Sequence, residues 1–174
     1  MSPSSMLAPG PVYHAGYVVT DMSRAIAHWA EQLGARPFFL FENFSFTDPV
    51  FEGRPVGPSV TLAFAYSGDF CVELIQQHDD VPSIYREAGS GLHHLGIAVD
   101  DLESSLGTYS AAGVQSLFKG GFPFGGGCAY LDTRKQLGFL TELVERNPVI
   151  DGLLAQIRSA HADWNRKDHV ASFS

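Results

Sequence analysis

The sequence predicts an α+β fold built from two βαβββ modules and a C-terminal helix. Three observations predict it. His14-Ala-Gly-Tyr-Val-Val-Thr-Asp-Met22 aligns without a gap on His94-Leu-Gly-Ile-Ala-Val-Asp-Asp-Leu102, and Cys71-Val-Glu-Leu-Ile75 aligns on Leu140-Thr-Glu-Leu-Val144. An internal repeat of this kind organises a fold before any local propensity does. The third observation is length: 174 residues suffice for one well-cored domain or two small modules sharing a core. The histidine motifs lie 80 residues apart and the glutamates 69, so the second copy is shorter by 11.

Residues 1–10 read as a flexible N-terminus, and residues 11–78 as the first module. Its opening strand, Val12–Val19, is apolar and β-branched. Asp21 is the expected helix N-cap. Met22, Ile26, Trp29, Ala30 and Leu33 recur at helical spacing, and Gly34 stops the helix. Strands are expected over Pro37–Phe46, Val60–Tyr66 and Phe70–Gln76. Residues 79–91 form a linker with a short helix, and residues 92–146 the second module. There His93–Val99 opens, Asp101 caps, and Leu102, Leu106 and Tyr109 mark a helix ending near Gly113. Strands over Val114–Phe118, Cys128–Asp132 and Phe139–Val144 complete it. Residues 147–174 carry a helix from Pro148 to about Trp164 and then a tail.

Composition removes several classes of function. The chain is 45% hydrophobic and 17% charged, with a formal net charge of −8 and no basic run to neutralise phosphates. Nucleic acid and anionic membrane are therefore not expected partners. No apolar run approaches the roughly 18 residues of a membrane span, and the N-terminal residues lack a secretory pattern. Cys71 and Cys128 have no CxxC spacing and read as buried free thiols, which fits a cytoplasmic location.

Strand alternation sorts the polar residues. His93, Leu95, Ile97 and Val99 share one row, expected against the helix, and His94, Gly96 and Ala98 share the other. In the first copy Tyr13, Ala15, Tyr17 and Val19 form the helix-packed row, opposite His14, Gly16 and Val18. By this parity His93 is a hydrogen-bonded core histidine and His94 the functional one. Glu73 and Glu142 each sit in mid-strand among apolar residues, where a carboxylate is costly unless paired or bound to a cation. Either glutamate alone reads equally well as a solvent-facing edge residue. Two at matching places, with matching histidines, make a nitrogen and oxygen donor set for a divalent metal.

YHAGYVVTDM, HHLGIAVDDL, VELIQ and TELVE resemble the vicinal oxygen chelate superfamily, which includes glyoxalase I, methylmalonyl-CoA epimerase, extradiol dioxygenases and bleomycin-resistance proteins. The resemblance covers about residues 11–146 and looks nearest to the epimerase-like and glyoxalase I-like members. It implies a cup-shaped, barrel-like mixed sheet with helices outside and a metal in the cup. The implied ligands are His14, Glu73, His94 and Glu142, holding Zn, Co, Ni, Mn or Fe. It further implies an isomerase or lyase acting through a metal-stabilised enolate or enediolate on a small carbonyl substrate, either aromatic or an acyl thioester, with Glu142 and Glu73 as the acid/base pair. A homodimer is expected, and the modules could pair within one chain or swap across the dimer. The stretch GGFPFGGGCAYLDTRKQLGFLTELVE lacks the basic, Pro-Lys-rich lead-in expected for CoA recognition. An Fe(II) extradiol-type dioxygenase and a non-catalytic binder of an aromatic compound are the alternatives.

The remaining candidates read more plainly. Of Phe38, Phe39, Phe41, Phe44, Phe46 and Phe51, at least half are expected in the core and the rest in a substrate pocket. Gly120–Gly127 reads equally as a lid and as a hairpin connection. Arg54, Lys119, Arg134 and Lys135 are expected on the solvated surface, and His78, His28, His161 and His169 away from any metal.

Overall fold

Among the described residues, ten strands form one open mixed sheet whose two halves meet along an antiparallel seam. The computed structural model describes residues 10–165 and 167–173; the expected flexible N-terminus lies outside these, Gly10 excepted. The first half contains β1 (Val12–Val18), α1 (Met22–Leu33), β2 (Phe38–Phe44), β3 (Thr47–Phe51), β4 (Val60–Ser67) and β5 (Phe70–Gln77). A short α2 (Ile84–Ala88) leads to β6 (Gly91–Val99), α3 (Leu102–Ala111), β7 (Ser116–Gly121), β8 (Gly127–Leu131), α4 (Arg134–Leu137) and β9 (Leu140–Glu145). Helix α5 (Pro148–Asp163) and a two-residue β10 (Val170–Ala171) end the chain. The strand order is β10-β2-β4-β5-β1-β6-β9-β8-β7-β3. β1 pairs with β6 antiparallel inside the same chain, so the two modules join each other here.

Local chemistry sets the helices. The Asp21 carboxylate accepts from Arg24 N–H at 2.9 Å and the Asp101 carboxylate from Ser104 N–H at 2.8 Å, satisfying first-turn donors. Gly34, in the left-handed region at φ 68°, ends α1. Met22 and Ile26 of α1 then cover Phe38, Val72 and Leu74 on one outer face, while Leu102 and Tyr109 of α3 cover Ile97, Val99 and Leu143 on the other. The inner faces of both halves share a third cluster that includes Ile75, Tyr85, Phe118, Tyr130 and Val144.

The sequence reading missed β3 and its partner. The expected strand Pro37–Phe46 ends at Phe44, and the chain then pairs Thr47, Val50 and Phe51 with Gly121, Lys119 and Phe118 of β7. Thus β2 and β3, consecutive in the chain, lie near opposite ends of the sheet. Three Cα steps join Phe44 to Thr47, a reach of about 11 Å at 3.8 Å per step. Only a sheet curled strongly on itself can meet that limit, and this gives the expected cup. The tail also differs from expectation, since Val170 and Ala171 pair in parallel with Phe38 and Phe39.

Helix α5 does not sit outside with α1 and α3. Ile150, Leu153, Leu154 and Ile157, spaced for one helical face, close over the cup. Asn147 caps the helix by accepting from Val149 and Ile150 N–H, and Arg158 ties it to Asp69 at 2.6 Å. Among the described residues no helix is long and apolar enough to cross a membrane. Cys71 and Cys128 are buried free thiols, as expected.

The balance of core and cap is open to measurement. Leu74 is wholly buried, and Leu74→Ala is expected to lose about 2–5 kcal/mol in urea denaturation. Asp21→Ala, which removes only a cap, is expected to lose about 1 kcal/mol.

Candidate metal centre

The site grows from the register of four central strands. Across β5, β1 and β6, Glu73 lies beside Gly16, and Gly16 beside His94. One row further along, His14 lies beside Gly96, and Gly96 beside Glu142 of β9. Each row thus places a glycine between a glutamate and a histidine. The glycines are required by space: a Cβ on Gly16 would come within 2.0 Å of the His94 ring, and one on Gly96 within 1.9 Å of the His14 ring. Each imidazole occupies the volume that the other module leaves free.

All four expected residues converge. The Nε2 atoms of His14 and His94 are 3.0 Å apart. Glu73 Oε2 lies 3.3 Å from His14 Nε2 and 3.2 Å from His94 Nε2. Glu142 Oε2 lies 3.0 Å and 3.2 Å from the same atoms. Metal bonds of about 2.0–2.2 Å to nitrogen and oxygen put neighbouring donors about 3.0–3.4 Å apart, so this set fits a divalent cation. The quartet is almost wholly buried, and Glu73 Oε2 accepts no hydrogen bond from any described residue. A buried carboxylate oxygen without a donor is what a cation would satisfy.

The electrostatics are those of mutually dependent charges. Burial disfavours protonated His94, yet Glu142 and Glu73 outweigh it and raise the imidazole to about 9. His14 is raised for the same reasons. Burial opposes ionisation of Glu142 and Glu73 as well, but the two histidines hold both carboxyls below the usual range.

His93 departs from the simple parity. In β6 the register skips from His94 to Leu92, so His93 occupies a bulge; in β1 Tyr13 occupies the matching one. Bulges re-aim side chains beside functional sites. His93 therefore leaves the row of Ile97 and Val99 and packs against Tyr85 and Tyr130, and Tyr13 likewise turns into the cup. His93 Nε2 donates to the Ile84 carbonyl at 3.3 Å, which leaves its Nδ1 as acceptor for His94 Nδ1–H at 2.9 Å. Nε2 of His94 is thereby the nitrogen directed at the cluster, with its lone pair available to a cation once its proton leaves. Burial and the adjacent His94 lower His93 to about 3, so it stays neutral. His14 Nδ1 has no such partner among the described residues.

Above this floor lies a predominantly apolar cavity of about 80 Å³. Phe41, Phe44 and Phe46 line it, whereas Phe38, Phe39 and Phe51 are core, close to the expected division. Gly120–Gly127 is a hairpin connection between β7 and β8, and its Phe122 and Phe124 also face the cup. Tyr13, Tyr85 and Tyr130 line the space too. The sequence carried no signal for Tyr85, which sits on the short linker helix. Lys119 and Arg134 pair with Glu103 and Asp132 on the surface, Arg54 and Lys135 are exposed, and His78 bonds Thr61 instead of joining the cluster.

Two joined βαβββ halves with a His/Glu floor have the vicinal oxygen chelate fold. A family model described as the glyoxalase/bleomycin resistance protein/dioxygenase superfamily matches residues 13–131, and the chain belongs to that superfamily. Among solved structures, methylmalonyl-CoA epimerase from Mycobacterium tuberculosis matches at TM-score 0.57 and 19% identity, over 86% of this chain and 95% of that one. A hypothetical protein from Bacillus halodurans C-125 matches at TM-score 0.57 and 22% identity, over 79% and 94%. A Streptomyces coelicolor methylmalonyl-CoA epimerase variant in complex with 2-nitronate-propionyl-CoA matches at TM-score 0.54 and 19% identity, over 80% and 96%. No curated protein matches in sequence.

Two outcomes follow from this geometry. Gly16→Ala and Gly96→Ala are each expected to displace the opposite imidazole and cut Zn²⁺ or Co²⁺ uptake, measured by elemental analysis after reconstitution. Because His94 holds its proton up to about pH 9, cation uptake at pH 7 must release it. Calorimetric titration in buffers of different ionisation enthalpy should show that release, with affinity weakening as pH falls and the release fading above about pH 9.

Proposed function

We propose that the chain is a divalent-metal-dependent isomerase or lyase that moves a proton next to a carbonyl. The observation that carries this reading is the convergence of two imidazoles and two carboxylates, one of each from either module, at the floor of an apolar cup. His14, Glu73, His94 and Glu142 would hold the cation. When bound, it would supply Lewis-acid polarisation of the substrate's vicinal oxygens.

The remaining chemistry belongs to side chains of the chain itself. Glu73 and Glu142 are held ionised at neutral pH by their histidine neighbours, so either can accept a proton. They stand on β5 and β9, on opposite sides of the β1–β6 seam, and so can address opposite faces of one carbon. One would remove a proton and the other return it. Burial keeps Tyr13, Tyr85 and Tyr130 protonated, leaving them as donors and never as competing bases. The floor residues are almost wholly buried, which strengthens each charge there. Support from the fold's neighbours is of the same kind, since two of them carry the name methylmalonyl-CoA epimerase.

The test is exchange of substrate α-protons in D₂O, followed by NMR, across α-oxo acids and acyl thioesters with the metal-loaded chain. Glu73→Gln and Glu142→Gln are each expected to lower the exchange rate by about 10²-fold or more. Metal content is measured in parallel. A chain that takes up no divalent metal, or that consumes oxygen with a catechol and exchanges no proton, would refute the reading.

A further inference from the structure

Resting on that metal-floored reading, we propose that the cup takes a small ligand with an apolar, preferentially aromatic body and two vicinal oxygens at one end. The ligand carries no more than one negative charge. Phe41, Phe64 and Phe122 form the wall, and Leu153 and Leu154 of α5 the roof. Among the described residues, the only charged carboxylates facing this space are Glu73 and Glu142, and no lysine or arginine lines it.

Charge counting sets the limit. A divalent cation with two carboxylates is neutral overall, so the floor can accept one anionic chelating head. A second anionic group would lie among phenyl rings and leucines with no counter-charge, which is strongly unfavourable. Arg146, just before α5, and Arg158, within it, are already engaged. Arg158 pairs with Asp69 at 2.6 Å and lies 4.5 Å from the centre of the Tyr66 ring, while Arg146 pairs with Asp151 at 3.3 Å. The roof is thus where specificity is set. A cation at Leu153 would supply what the cup lacks.

Three probes with one bidentate head and different bodies test this: acetohydroxamate, benzohydroxamate and succinomonohydroxamate, titrated by calorimetry into the Co²⁺-loaded chain. Benzohydroxamate is expected to bind at least about tenfold tighter than acetohydroxamate, and the succinyl probe no tighter than acetohydroxamate. Leu153→Lys is expected to take up metal normally, lose the phenyl preference and bind the succinyl probe better. Equal binding of phenyl and methyl probes, or tighter binding of the succinyl probe to the unaltered chain, would overturn the proposal. Failure to load metal would refute the proposed function alone. The body preference is then read on the metal-free chain, as methyl NMR shifts at Leu153 and Leu154 with benzyl alcohol against ethanol. Absence of selective shifts with benzyl alcohol would overturn the proposal there too.

Discussion

The antiparallel seam between β1 and β6 sets Gly16 opposite His94 and Gly96 opposite His14, and every functional distance in the molecule depends on that register. Each imidazole stands over a glycine contributed by the other module, so neither half can form the cluster alone. The register cannot drift. A one-residue slip would turn both histidines to the opposite face, against α1 or α3, and turn apolar helix-packing residues into the cup. The parallel partners β5 and β9 then deliver Glu73 and Glu142 beside the same two glycines.

Four ionisable groups buried together would be unstable as individuals. An unpaired buried carboxylate or imidazolium costs several kcal/mol, and each member of the quartet has the two groups of opposite kind as its compensation. The surrounding shell keeps to that economy. His93 is neutral and its two nitrogens are both satisfied, one by a backbone carbonyl and one by His94. Tyr85 and Tyr130 share a hydrogen bond of 3.1 Å beside it. Polarity is confined to the floor, and the aromatic walls above leave that floor in a low-dielectric setting.

Curvature and covering come from segments at the edges of the repeat. The short link between β2 and β3 ties distant edges of the sheet together, and β3 widens the second module by a strand drawn from the first. Helix α5 lies across the opening and is bonded to both halves: Asn147 donates to the Gly125 carbonyl, and His161 accepts from Gly68 N–H. The duplicated modules build the centre, and these unduplicated pieces shape the space above it.

The repeat, the helix caps, the four converging residues and the buried thiols were legible in the sequence because they rest on local chemistry. Alternation along a strand, spacing along a helix and a carboxylate before a first turn are all fixed by near neighbours. The H-x-G pattern was visible in both copies, but the need for glycine appeared only when the opposite imidazole came to rest on it. Parity put His94 on the cup face, where it lies, and misplaced Tyr13 and His93, since a bulge depends on pairing with a distant strand. The partner of β3, the place of Tyr85 and the seat of α5 were equally hidden. Those are contacts between residues far apart in the chain, and only the folded sheet, by bringing its edges and its two halves together, decides them.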